Sequence, residues 1–134
     1  MRKSLQSKFI SRQYMLSKDF EIYYYNDSHF SGVSNHTHNY YEFYIFMEGD
    51  VFMSIEKKNY HLKPGDVVLI PPDTQHHVYN VEESKPYQRF VFWISQDYCN
   101  KLMELSEDYI FLVKHAQEKN QFLYHYICDS KKLF

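Results

Sequence analysis

Short apolar segments, broken at close intervals by turn-forming residues, constrain what this chain can fold into. Strand-forming stretches rich in aromatic and β-branched residues fall at 20–25, 40–47, 51–56, 60–62, 67–70, 76–81 and 88–94. Between them stand Glu48-Gly49-Asp50, Lys57-Lys58-Asn59, Lys63-Pro64-Gly65-Asp66 and Pro71-Pro72, residues that favour turns or stop a strand. Seven or so short strands at this rhythm predict an all-β sandwich or jelly roll. Residues 40–47 are apolar at both parities apart from Glu42, which predicts a strand buried on both faces.

The pattern changes after Ile94. Tyr98, Leu102, Leu105 and Tyr109 recur at helical spacing, with Ser95 or Asp97 placed to cap the start. Phe122, Leu123, Tyr126 and Ile127 form a second helical stripe. The chain then stops at Phe134 with no helix-ending Gly or Pro, so it reads as cut from something longer. The expected organisation is an arm and barrel over residues 1–95, with residues 1–19 as the arm, and a helical segment over 96–134.

With 134 residues and only 3 Gly, the chain has one domain's worth of sequence and can bury a real core. Aromatic residues make up 19%, which favours strands and supplies walls on which a small ligand can stack. The net charge of −2, with lysines and arginines dispersed, excludes a chain whose main task is gripping nucleic acid. No apolar run reaches signal-peptide or membrane-span length. Cys99 and Cys128 are too few and too far apart for a disulfide framework, and a reduced cytoplasmic protein is expected.

Four residues carry candidate chemistry. His36, His38 and Glu42 share parity, so on a strand they face one way, and His76 follows after a Gly- and Pro-bearing segment. Three imidazoles and a carboxylate suit a divalent first-row metal, with zinc, nickel, iron and manganese all compatible with nitrogen donors at about 2.0–2.1 Å. The same quartet also suits a polar lining that hydrogen-bonds a ligand, and spacing leaves both readings open. Tyr40 and Tyr44 share the parity of His38 and Glu42, and Trp93 lies in a late strand; each fits either core or pocket wall. His77 points to the opposite face from His76, and His29, His61, His115 and His125 lack ligand-like companions.

The stretch 36–49 resembles the first cupin motif and 65–80 the second. Gly32 stands two residues closer to the first His than the usual leading Gly, and Asp73 replaces the Gly that commonly follows the proline. The phrases His38-Asn39-Tyr40-Tyr41-Glu42-Phe43-Tyr44 and Tyr60-His61-Leu62-Lys63-Pro64-Gly65-Asp66 are similar to the sensor domains of AraC-type bacterial transcription regulators. The similarity covers roughly residues 20–95 and extends to the helical tail. It implies a cupin double-stranded β-helix, or jelly-roll barrel, followed by C-terminal helices. An effector, a sugar or another small molecule, would sit inside, in a pocket of His36, His38, Glu42, His76, Tyr44 and Trp93. It also implies homodimerisation through the helices, and DNA contact only through a missing C-terminal domain of roughly a hundred further residues. No catalytic residue is expected. The alternative is a small metal-dependent cupin enzyme, a dioxygenase or isomerase.

Overall fold

Two antiparallel sheets face each other across a core of aromatic and aliphatic side chains in the computed structural model, which describes residues 14–28, 32–80, 82, 85–106, 108 and 111–125. The strands are β1 (Phe20–Asp27), β2 (Tyr41–Glu48), β3 (Val51–Ile55), β4 (Lys58–His61), β5 (Val67–Ile70), β6 (His76–Asn80), β7 (Tyr87–Ile94) and β8 (Leu123–Tyr124). Helices α1 (Gln96–Leu105) and α2 (Phe111–Lys119) lie between β7 and β8. One sheet has the order β1-β7-β2-β5-β8, and the other β4-β3-β6. The strands are those of the all-β jelly roll that the residue pattern predicts, and with the helices after β7 they match the cupin barrel that the motif resemblance implies.

Alternation along each strand decides what faces inward. Val51, Met53 and Ile55 of β3 meet Tyr44, Phe46, Val68 and Ile70 of the larger sheet, all 3% exposed or less. Each such apolar side chain contributes about 1.5–3 kcal/mol on full burial. The opposite parity is not buried throughout. Ile45 and Met47 of β2 are 41% and 39% exposed, so the expectation of a strand buried on both faces fails along its second half. The first half comes closer, because the helices cover Tyr41 and Phe43 in part. Tyr41, Phe43 and Phe92 pack against Ile94, Cys99 and Val113, with Leu102 and Met103 of α1 in the same cluster.

Ser95 caps α1, its hydroxyl accepting from the Tyr98 N–H at 3.1 Å. The second helical stripe is corrected. Leu123 and Tyr124 form β8, an edge strand on β5, while the second helix lies earlier, over Phe111–Lys119. The backbone ladder outweighs the periodicity here, since Leu69 N–H donates to the Phe122 carbonyl at 2.8 Å. His125 then pairs with the buried Asp66 at 2.7 Å and ties the segment down. Of the expected arm, Met15 packs on the core, and the Leu16 and Ser17 N–H groups donate to Glu21. Residues 1–13, with His29, Tyr109, Tyr126, Ile127 and Cys128, lie outside the described residues.

The departures from the cupin motifs have backbone reasons. Gly32 has φ of 106°, and a Cβ there would stand 2.9 Å from the Val78 carbonyl oxygen, so only Gly fits. Asp73 has φ of 62°, a left-handed conformation that Asp tolerates better than most side chains. It thus fills the place of a Gly without moving the turn, and its N–H donates to the His38 carbonyl at 2.8 Å. Asp73→Val should therefore cost about 1–2 kcal/mol in urea unfolding, whereas Asp73→Gly should leave stability nearly unchanged. Equal losses for the two would show that the backbone conformation is not what selects Asp73.

Candidate functional site

His36 and His76 are brought together by their backbones. His36 N–H donates to the His76 carbonyl at 3.1 Å and His76 N–H to the His36 carbonyl at 3.0 Å, an isolated antiparallel bridge. His36 and His38 thus lie before β2 and not on one strand with Glu42, as simple parity would have it. The convergence is nonetheless real. The ring centroids of His76 lie 4.3 Å from His36 and 4.7 Å from His38, and one ligand nitrogen from each ring falls within 4.8 Å of the others.

Each imidazole is oriented by a backbone carbonyl two residues away. His36 Nδ1 lies 2.7 Å from the Ser34 oxygen, His38 Nδ1 3.0 Å from the Tyr40 oxygen and His76 Nδ1 2.8 Å from the Thr74 oxygen. A carbonyl only accepts, so each Nδ1 carries a proton, and in the neutral form of each ring Nε2 presents its lone pair. The Nε2 atoms of His38 and His76 are buried and have no hydrogen-bond partner. Unsatisfied buried lone pairs are costly, and carbonyl-tied imidazoles with inward Nε2 atoms are what a metal site requires. The donor set therefore fits a transition metal.

Glu42 stands beside this group. Its register partner across β2 and β7 is Trp93, and the indole N–H donates to Glu42 Oε1 at 2.8 Å. The same oxygen lies 3.5 Å from His38 Nε2. Burial pushes the Glu42 carboxyl up, but His38, His76 and the Trp93 N–H outweigh it and hold it below its ordinary value. Burial also lowers the His76 imidazole to about 4, against the opposing pull of Glu42. With its pKa at about 4, His76 is a neutral donor at neutral pH, the form that binds a metal, and the Trp93 N–H is then the donor that holds Glu42.

Above these residues opens a cavity of about 70 Å³, lined among others by His36, Glu42, Tyr44, His76 and Trp93. Tyr44 hydrogen-bonds the hydroxyl of Tyr87, and burial raises the pKa of both phenols, keeping them neutral. Tyr40 lies instead face to face with His38, 4.0 Å between centroids, and supports the ring from behind. His77 stacks on Tyr79, as the opposite parity requires, although it also borders the cavity. His61 pairs with Asp50 and His115 with Tyr124, away from the histidine group.

Arg89 is the lining residue that motif reasoning passes over. Its side chain is 2% exposed, held by Asp27 at 2.6 Å and by the Tyr87 carbonyl at 3.1 Å. The guanidinium carbon lies 4.7 Å from the Tyr25 ring centroid and 4.0 Å from that of Tyr87. The alternation Tyr87, Arg89, Val91, Trp93 was the available signal, because it puts Arg89 on the inward face with Trp93.

Fold and site together define a cupin barrel, and the comparisons agree. The chain belongs to the AraC-like ligand binding domain family, whose model matches residues 20–123. Its fold resembles that of a Cupin 2 conserved barrel domain protein from Salinispora arenicola, at 22% identity and a TM-score of 0.53. That likeness covers 66% of this chain and 74% of the other. A cupin superfamily protein from Desulfitobacterium hafniense is 14% identical with a TM-score of 0.54, over 71% and 84% of the two chains. The DMSP lyase DddQ from Ruegeria pomeroyi is 22% identical with a TM-score of 0.51, over 60% of this chain and 40% of that one. No curated protein matched the sequence.

Trp93→Phe removes the N–H that holds the buried Glu42 carboxylate. Urea unfolding at neutral pH should show a loss of about 1.5–3 kcal/mol, the range for a hydrogen bond to a charged group. A loss no larger than that of Trp93→Tyr at equal packing would mean that the bond to Glu42 contributes nothing.

Proposed function

We propose that this domain senses a small molecule for an AraC-type DNA-binding transcription regulator. The effector binds inside the barrel, beside His36, His38, Glu42, Tyr44, His76 and Trp93. The observation that carries the reading is a cavity in an AraC-like ligand binding domain, with a polar base and aromatic walls. The protein is not an enzyme in this reading. Residues 1–95 are the arm and effector barrel, and α1 and α2 in the segment after it support a homodimer. DNA contact falls to a separate helix-turn-helix domain, in keeping with the net charge of −2 here. Such a regulator works in the cytoplasm, and among the described residues no helix is long and apolar enough to cross a membrane.

His36, His38 and His76 hold a divalent ion (zinc, nickel, iron or manganese), with Glu42 completing the set. When bound, such an ion supplies a fixed positive charge and Lewis acidity at the cavity base. The chain's own residues orient what enters: Trp93 fixes Glu42, and the Tyr44–Tyr87 hydroxyl pair offers neutral hydrogen-bonding groups. An effector acts only through unequal affinity for two states, and the segments around the barrel, residues 1–19 and the helices after Ser95, are where those states differ.

Calorimetric titration of the tag-free domain with zinc chloride should give one ion per chain, and His76→Ala should weaken uptake by at least about a hundredfold. In cells, the same substitution in the full-length gene should fix transcription of a reporter at one level across growth conditions. A reporter that responds as in the wild type would remove the barrel from the sensing mechanism. The three-histidine and glutamate set also favours a second reading, a small metal-dependent cupin dioxygenase or isomerase. Oxygen uptake by the iron-loaded domain with a turned-over substrate would select that reading.

A further inference from the structure

The outward face of the larger sheet is apolar where a solvated face would be polar. Across β1, β7 and β2, one row in register is Phe20, Ile94 and Tyr41, the next Ile22, Phe92 and Phe43, and the third Tyr24, Phe90 and Ile45. Only the fourth row, Asn26, Gln88 and Glu48, is polar. An antiparallel sheet with one face in water alternates apolar residues inward with polar residues outward. The smaller sheet does so, with Ser54, Asn59 and His77 in one outward row.

The helices cover only one end of this face. Tyr41, Phe43, Phe92 and Ile94 pack with α1 and α2, whereas Phe20, Ile22, Ile45, Met47 and Phe90 stay between 39% and 59% exposed. At the other end the polar row is bonded within itself and to Tyr24. The Tyr24 hydroxyl donates to Gln88 at 3.1 Å, and the Gln88 amide donates to Glu48 at 2.9 Å. What stays bare is an apolar strip across three strands. Its five side chains expose roughly 450 Å², at about 200 Å² for each large side chain when fully open. A stable dimer covers about 800 Å² per partner, somewhat more than half of it apolar. The strip therefore supplies the apolar centre of one interface of standard size.

We propose that this strip packs against the same strip of a second copy of the chain, sheet on sheet, about a two-fold axis. A two-fold contact needs a surface complementary to itself, which an uncharged apolar strip is, and sheet faces pack on one another in this way. The strip holds no Lys or Arg to meet nucleic acid and no charge with which to select an acidic or basic partner. The proposal rests on the homodimer argued above and assigns its surface to the sheet, with α1 at the margin where Tyr98 meets the Phe20 ring.

Sedimentation equilibrium of the 134-residue chain over a concentration series tests it. The mass should rise toward twice that of the chain and go no higher. Ile22→Lys and Ile45→Lys each set like charges into the shared face and should weaken association at least about tenfold. Both side chains lie outside the core, so the circular dichroism spectrum should stay that of the parent. Ile22→Ser, which brings no charge, should weaken association several-fold and gives the answer if a lysine variant does not fold. Phe111→Lys changes an exposed side chain on α2 instead. A loss of association in Phe111→Lys, with Ile22→Lys and Ile45→Lys unaffected, would overturn the sheet assignment and leave a homodimer through the helices standing. A mass that climbs past two copies would overturn the two-fold contact. A chain that is monomeric throughout would overturn both the surface and the homodimer.

Discussion

The pair of backbone hydrogen bonds between His36 and His76 is the constraint on which the site depends. β6 belongs to the smaller sheet, while the segment carrying His36 and His38 runs on into β2 of the larger one. The bridge thus closes one end of the barrel and, by the same contact, sets two imidazoles side by side. Val33 N–H extends the pairing by donating to the Val78 carbonyl at 2.9 Å, which is why a side chain at Gly32 has no room. Asp73 secures the other side through the His38 carbonyl. Every histidine of the group is thus fixed twice, by its own backbone or its neighbours' and by a carbonyl on Nδ1.

Rigid positioning has an electrostatic cost that the surroundings manage unevenly. Trp93 stabilises Glu42, and Asp27 stabilises Arg89, each through a partner on a neighbouring strand in register or close to it. The buried Nε2 lone pairs of His38 and His76 receive no such compensation from the protein. Proteins keep buried polar atoms unsatisfied where something else binds them, and the contrast between the compensated carboxylates and the uncompensated imidazoles marks where that happens.

Much of this was legible in the residues. Turn chemistry and strand rhythm pointed to an all-β jelly roll, and the spacing of His36, His38, Glu42 and His76 picked out side chains that the fold brings near one another. What escaped were features that depend on tertiary pairing. Leu123 belongs with Phe122 to the helical stripe read in the sequence, yet the open edge of β5 recruits it, with Tyr124, as a strand. Ile45 and Met47 are as apolar as Phe43, and only the reach of α1 and α2 decides which of them is covered. Arg89 reads as an ordinary charged residue in a strand, because its partner Asp27 lies 62 positions away in the sequence.

Pocket and helices read opposite faces of one strand. In β2, Glu42 and Tyr44 face the cavity, while Tyr41 and Phe43 pack in the cluster with Cys99 of α1 and Val113 of α2. β7 repeats the arrangement, with Trp93 facing inward and Phe92 outward in register with Phe43. A strand cannot shift one set of side chains without the other, because both hang from the same ladder of hydrogen bonds. Any ligand-dependent movement of Glu42 or Trp93 is therefore delivered to the helices directly, over a single residue. No relay of intervening side chains is needed to couple the barrel interior to the segments that follow it.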